Sequence, residues 1–251
     1  MGDLESLCSL MFQLSSEDRL RIMLKLAEEP FRLTKLASEL GVSAQEAHRH
    51  VSRLLEAGLV TKDLSGSLRL TPYGRHVLTL LSGLRFLSDH SDYFADHTLS
   101  SIPEEFVLRI GELEGSEFTR DVMLAFRAAE LTVETAERFI WIMSNQILVS
   151  TLDYLEEAVA RGVEFRVILP EDVRPPPGFR PIPKELGRVE RRSLSKVGVV
   201  LVVSEKSGQV AFPRVDGSFD YAGFRTTSPS GLKWCSDLFS HYWRTAKPLR
   251  V

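Results

Sequence analysis

The sequence predicts a mixed α+β and α/β chain in two unlike parts, a helical N-terminal module closed by a β-hairpin and a C-terminal sheet domain. Three observations carry this. Apolar residues recur at helical spacing through 14–57 and then give way to two short runs around Ser65-Gly66. An apolar run in ERFIWIMSN, an amphipathic stretch, Gly162 and the run VEFRVILP together read as strand, helix, strand. Charge is also uneven. Residues 31–76 carry seven Lys and Arg against four Asp and Glu, 77–135 carry four arginines against eleven acids, and 136–251 is mildly basic.

A chain of 251 residues holds one large domain or two ordinary ones. The charge and motif patterns divide it into an N-terminal helical module at 1–76, basic over 31–76, an acidic helical connector at 77–115 and an α/β domain at 116–251. Composition, 43% hydrophobic and 26% charged, is that of a globular protein. No apolar run approaches the roughly 20 residues that span a bilayer, and MGDLESLCSL lacks a basic signal head. The expectation is a cytoplasmic protein without a membrane partner. A net charge of −3 argues against a nonspecific nucleic-acid coat, although the average hides the basic patterning of 31–76. Cys8 and Cys235 have no metal or redox spacing and are expected as plain buried thiols.

In LSSEDRLRIMLKLAEEP, Leu20, Met23, Leu24 and Ala27 share a helical face, Ser15 or Ser16 caps it and Pro30 closes it. LTKLASEL is a short second helix. After the turn Gly41-Val42-Ser43 comes AQEAHRHVSRLLEAG, with Ser43 and Glu46 forming a capping box and Ala47, Val51, Leu54 and Leu55 facing inward. Its other face carries Gln45, His48, Arg49, Ser52 and Arg53, side chains that fit base edges and phosphates or a plain solvated face. His50 lies towards the buried side. LVTKDLSGSLRLT follows as a hairpin, and helix, helix, helix, hairpin is the order of a winged helix-turn-helix. With that hairpin present, the expected partner is double-stranded DNA. Lys62 and Arg69 are placed to meet phosphates, and a homodimer reading two half-sites is expected.

VSAQEAHRHVSRLLEAGLV with its hairpin and TPYGRHVL resembles the winged-helix transcription regulators over about residues 15–80. The resemblance makes Ala44, Gln45, His48 and Arg49 groove-facing, and Arg53 and Lys62 phosphate contacts.

In 77–115, Val77, Leu80, Leu81, Leu84 and Leu87 fit a helix whose length suits domain docking or subunit pairing. Asp89, His90, Asp92, Asp96 and His97 have no metal-ligand spacing and read as a solvated connector. Beyond it, FTRDVMLAFRAAELTVETA reads as helix, 137–143 as a buried strand, 146–161 as an amphipathic helix and 163–170 as a strand. The Pro-rich loop 171–188 is ordered by packing or acts as a lid. Strands follow, with turns at Ser207-Gly208 and Asp216-Gly217. The last helix carries Leu232, Cys235, Leu238, Phe239, Tyr242 and Trp243 as a core stripe.

VDGSFDYAGFRTTSPSGLKWCSDLFSHYWRTA resembles the effector domain of archaeal regulators of the methanogenesis-regulator type, with their Asp-Gly-x-Phe-Asp element before a Trp-x-x-x-Leu-Phe-x-x-Tyr helix. ARGVEFRVI is also similar to the sensor half of TrmB sugar regulators, whose fold resembles phospholipase D. The resemblance spans most of 116–247. It implies a one-component archaeal regulator, a winged helix followed by a catalytically empty sensor for a small effector.

No His-x-Lys-x-x-x-x-Asp, Gly-x-Ser-x-Gly, His-Glu-x-x-His, P-loop or Gly-x-Gly-x-x-Gly element occurs, so no catalytic residue, metal site or cofactor is expected. Candidate effector contacts are Ser144, Asn145 and Gln146, where the strand is expected to lead into a helix N-terminus that suits an anion, together with Asp220 and Arg225. Capping for the trio, turn formation for Asp216, a structural hydrogen bond for Asp220 and a surface ion pair for Arg225 are the plain alternatives. Two other readings stand beside the regulator: a winged-helix-targeted enzyme on a phospholipase-D-like scaffold, and an effector-free DNA-binding or docking protein.

Overall fold

The computed structural model describes residues 4–249, so the outermost residues of the expected first and last domains, 1–3 and 250–251, lie outside it. The chain divides into two compact units, 1–81 and 82–251.

In the first unit, α1 (Leu4–Leu14) precedes α2 (Glu17–Glu28), whose N-cap is Ser16, accepting from the Arg19 amide. The short helix α3 (Leu33–Leu40) stops at Gly41, whose φ of 68° is the left-handed conformation that frees a helix end. Helix α4 (Ala44–Glu56) starts from Ser43 with both halves of the capping box formed. The strands β1 (Val60–Lys62) and β2 (Leu68–Leu70) pair antiparallel around Gly66. Ile22, Met23, Leu36, Leu54 and Leu59 are fully enclosed at the centre of this unit's core. Helix α5 (Pro72–Asp89) begins here and carries the boundary between the units. Gly74 on it is required by space, because a Cβ would stand 2.1 Å from the Leu59 carbonyl oxygen.

In the second unit an eight-stranded sheet runs in the order β10 (Lys247–Pro248), β6 (Val189–Leu194), β5 (Glu164–Pro170), β4 (Phe139–Met143), β7 (Val200–Ser204), β8 (Gly208–Ala211), β9 (Gly223–Thr226) and β3 (Glu117–Thr119). After the short helices α6 (Ser91–Phe94) and α7 (Glu104–Leu108), the chain enters the edge strand β3 (Glu117–Thr119) and helix α8 (Val122–Glu134). Phe118 and Thr119, expected in a helix, are thus extended. Asp121 caps α8 from the amides of Met123 and Leu124, which fixes the start of the helix beyond them. Strand β4 (Phe139–Met143), helix α9 (Leu152–Ala160) and β5 (Glu164–Pro170) form the expected parallel strand–helix–strand unit, closed at Gly162 with φ 95°. Strands β6 (Val189–Leu194), β7 (Val200–Ser204), β8 (Gly208–Ala211) and β9 (Gly223–Thr226) follow, then α10 (Pro229–Thr245) and β10 (Lys247–Pro248).

One face of the sheet meets α10, where Cys235, Leu238, Phe239 and Trp243 of the expected stripe are buried, Leu232 and Tyr242 are half-buried, and Trp234, outside that stripe, is fully enclosed. The opposite core cluster joins α8 and α9 to β4, β5 and β7. The β7–β8 turn differs from expectation. Its tip is Glu205-Lys206, with Ser204 and Ser207 bonded across it, and Gly208 is already in the strand. A Cβ there would meet Cys235 Sγ at 3.2 Å, so Gly208 serves the approach of α10.

The segment expected as a solvated connector also differs. Phe86, Tyr93, Ile102, Phe106, Ile110 and Leu113 enter the core beside α10, because its acids alternate with apolar residues that the sheet face buries. Of the two thiols expected to be buried, Cys235 is and Cys8 is exposed. No helix among the described residues is long and apolar enough to cross a membrane.

Candidate functional site

Two places carry the expected functional residues, one in each unit. On α4, Ala47, Val51 and Leu54 are buried, while Ala44, Gln45, His48, Arg49 and Arg53 are exposed and Ser52 is half-buried. The capping box leaves Glu46 occupied. Its carboxylate accepts from the Ser43 hydroxyl (2.8 Å) and amide (3.0 Å), and these bonds hold it below the usual carboxylate range. Glu46 therefore caps and does not project with Gln45 and Arg49. His50 faces inward, 3.4 Å from Asp18.

In the hairpin Lys62 is exposed, whereas Arg69 is engaged. Its Nε donates to Asp63 at 3.0 Å, and Asp63 also accepts from the Ser65 hydroxyl and the Ser65 and Ser67 amides. Arg69, expected as a phosphate contact, thus braces the turn through Nε while its side chain stays exposed.

In the second unit a cavity of about 360 Å³ lies on the α8–α9 side of the sheet. Ser144, Gln146 and Arg225 line it, as does Tyr221, whose hydroxyl donates to Asn145 Oδ1 at 3.0 Å. Burial pushes the Tyr221 phenol up against the opposing effect of that contact. Tyr221 holds φ 60°, a left-handed conformation unusual for an aromatic residue. The Pro-rich loop contributes Val173, Pro175, Phe179 and Ile182 to the wall.

The expected helix N-terminus is not at Ser144–Gln146. A 3-10 turn at Val149–Thr151 intervenes and α9 begins only at Leu152. The polar trio therefore meets Tyr221 and the cavity, not a helix dipole.

Asp220 does not line this cavity. Its carboxylate accepts from Arg214 (3.0 and 3.1 Å) and the Ala222 amide (3.0 Å) and lies 3.1 Å from His97 Nε2. Burial disfavours its charged form, but these bonds outweigh burial and hold it below its ordinary value. His97, buried against the Tyr93 ring at 3.8 Å, joins Asp96 on its other nitrogen at 2.7 Å. This is a structural cluster tying α6 to the segment before β9. Asp216 makes the expected turn, accepting from the Ser218 amide and hydroxyl.

The residues that the sequence reading missed are Gln209 and Arg191. With Arg225 they belong to one cross-sheet row of register partners: Arg225 beside Gln209, then Val202, Ile142, Val167 and Arg191. All six line the cavity. Alternation within GQVA and VERRSL was the available signal for which side chains share that face.

The family described as the HVO_A0261 N-terminal domain matches residues 8–87. No curated protein matches the sequence. Among solved structures, the archaeal chromatin protein TrmBL2, described as showing a novel mode of DNA binding, is similar at 14% identity and a TM-score of 0.42; the alignment covers 93% of this chain and 94% of that one. NucT from Helicobacter pylori is similar at 7% identity and a TM-score of 0.37, over 51% of this chain and 92% of that one. Nuc from Salmonella typhimurium, a phospholipase D family member, is similar at 10% identity and the same TM-score of 0.37, over 50% and 91%.

Proposed function

We propose that the chain is a sequence-specific DNA-binding transcription regulator of archaeal type, cytoplasmic and homodimeric, whose second unit senses a small effector and catalyses nothing. The observation that carries the reading is the geometry of α3, Gly41 and α4. A capped helix presents Gln45, His48, Arg49 and Arg53 outward behind a left-handed turn and ahead of an antiparallel hairpin. Taken as a winged helix, α4 enters the major groove, Gln45 and Arg49 offer paired hydrogen bonds to adenine and guanine edges, and Arg53 and Lys62 meet phosphates. The family match over 8–87 coincides with this module.

For the second unit, support comes from a preformed, mainly apolar cavity with a few polar groups, the usual form of a small-molecule site. The sheet is read as a phospholipase-D-like scaffold without its chemistry, because the His-x-Lys-x-x-x-x-Asp element is absent from the sequence.

Fluorescence anisotropy against the chain's own promoter and a scrambled duplex, over a salt series, tests the reading. Tighter promoter binding with a marked salt slope is expected. Arg49→Ala should weaken promoter binding by roughly 1–3 kcal/mol while sparing the scrambled duplex. Lys62→Ala should weaken both and lower the salt slope by about one. Equal, weak binding to both duplexes by the unmodified chain would refute the specific-regulator reading.

A further inference from the structure

The row that crosses the cavity has a definite polarity. Its middle, Val202, Ile142 and Val167, is apolar, and its two ends are the arginines 225 and 191. Gln209 stands between Arg225 and this middle, and at about 4.8 Å per strand the apolar floor from β7 to β5 spans two steps, roughly 10 Å. This is an elongated trough with charge at its ends.

The two ends are not equivalent. Arg191 donates through Nη2 to the Ile182 carbonyl, so its guanidinium clasps the Pro-rich loop over the trough. Arg225 is differently placed. Nη1 reaches Glu117 Oε2 at 3.5 Å on the sheet edge, while Nε is enclosed and has no hydrogen-bond partner. The terminal nitrogens of this partly exposed guanidinium are what a ligand can reach, and a carboxylate matches their planar fork.

Two other donors along this wall are already engaged. Gln209 Nε2 donates to the Ala125 carbonyl and the Tyr221 hydroxyl donates to Asn145. One guanidinium in an otherwise apolar trough calls for one acceptor group. A phosphate, with three oxygens to satisfy, would leave more polar surface unpaired in an apolar enclosure than a carboxylate would.

We propose that this cavity binds an amphipathic monocarboxylate, its carboxylate on Arg225 and its extended apolar body over Val202, Ile142 and Val167. The inference rests on reading the second unit as the effector-binding half and names the class of effector. Glu117 sets the affinity: 75% exposed, it competes with the ligand carboxylate for the same guanidinium. Phe179 and Ile182 of the Pro-rich loop cover the apolar body.

Isothermal titration of the full chain with decanoate, decan-1-ol and decylammonium tests this without any DNA, so its failure is separate from failure of promoter binding. Decanoate should bind saturably, and the alcohol and the amine at least tenfold more weakly. Arg225→Gln should erase the preference for the acid over the alcohol, and Arg191→Gln should keep it. Glu117→Gln, at the exposed sheet edge, should bind decanoate severalfold more tightly and the alcohol no differently. It keeps the test decisive if Arg225→Gln does not fold. Absence of decanoate binding, equal affinity for acid and alcohol, loss of the preference in Arg191→Gln, or an unchanged Glu117→Gln would each overturn the proposal.

Discussion

Single atoms decide several properties of this chain. Gly223 opens β9 where a Cβ would lie 2.3 Å from the Val210 carbonyl oxygen and 3.0 Å from Ala211 Cα. Both are backbone, so the neighbouring strand has no side chain to swing away. Gly223→Ala should cost about 1–3 kcal/mol in urea unfolding, since overpacking forces a backbone shift. Glu46 gives a pH-dependent counterpart. Ser43 holds its carboxyl below the ordinary value of 4.5. A depressed carboxyl stabilises the fold fully above that ordinary value, and the contribution is lost as pH falls through the lower folded value. Unfolding midpoints measured across pH should therefore show Glu46→Gln less stable than the parent near neutrality, with the gap closing in acid. A gap that stays constant would show that the box contributes no titrating interaction.

At the scale of elements, the N-terminal helices were largely legible in the sequence because their signals are local. Ser16, Ser43 and Gly41 act through bonds within a few residues, and these bonds set the limits of α2, α3 and α4. The sheet domain was less so. The helix expected over 146–161 starts at Leu152, and β3 occupies the start of an expected helix, because edge pairing of Phe118 with Phe224 joins residues about a hundred positions apart. The cavity had the same obscurity. Ser144, Gln146 and Arg225 were anticipated, but which residues stand beside Arg225 depends on register across six strands. Helix α5 shows what amphipathic reading leaves out. Val77 is buried, yet Leu80 and Leu84, three and seven residues on along the same helix face, are 76% and 55% exposed. Such a stripe fits pairing with a second copy. Leu80→Glu with Leu84→Glu should turn a dimer into a monomer in light scattering at micromolar concentration while leaving the helical circular dichroism intact. A dimer that persists would place the interface elsewhere.

On the scale of the whole molecule, the proposed DNA recognition and the proposed ligand binding fall in different units, so regulation would require that a ligand prefer one of two conformations. Coupling energies of this kind are typically 1–3 kcal/mol, or roughly 5–150-fold in affinity. Decanoate at saturation should shift promoter affinity within that range, and by reciprocity promoter DNA should shift decanoate affinity by the same factor. A shift in one titration without the other would exclude linkage between them. The two cysteines offer a direct way to follow it. Cys235 is wholly enclosed and burial pushes its thiol up to about 12, whereas Cys8 stands exposed on α1. A maleimide dye at neutral pH should therefore modify the native chain once, at Cys8, and twice only after denaturation. The unmutated protein thus comes with a single-point attachment for a fluorophore in its first unit, ready for distance measurements between two copies on one duplex.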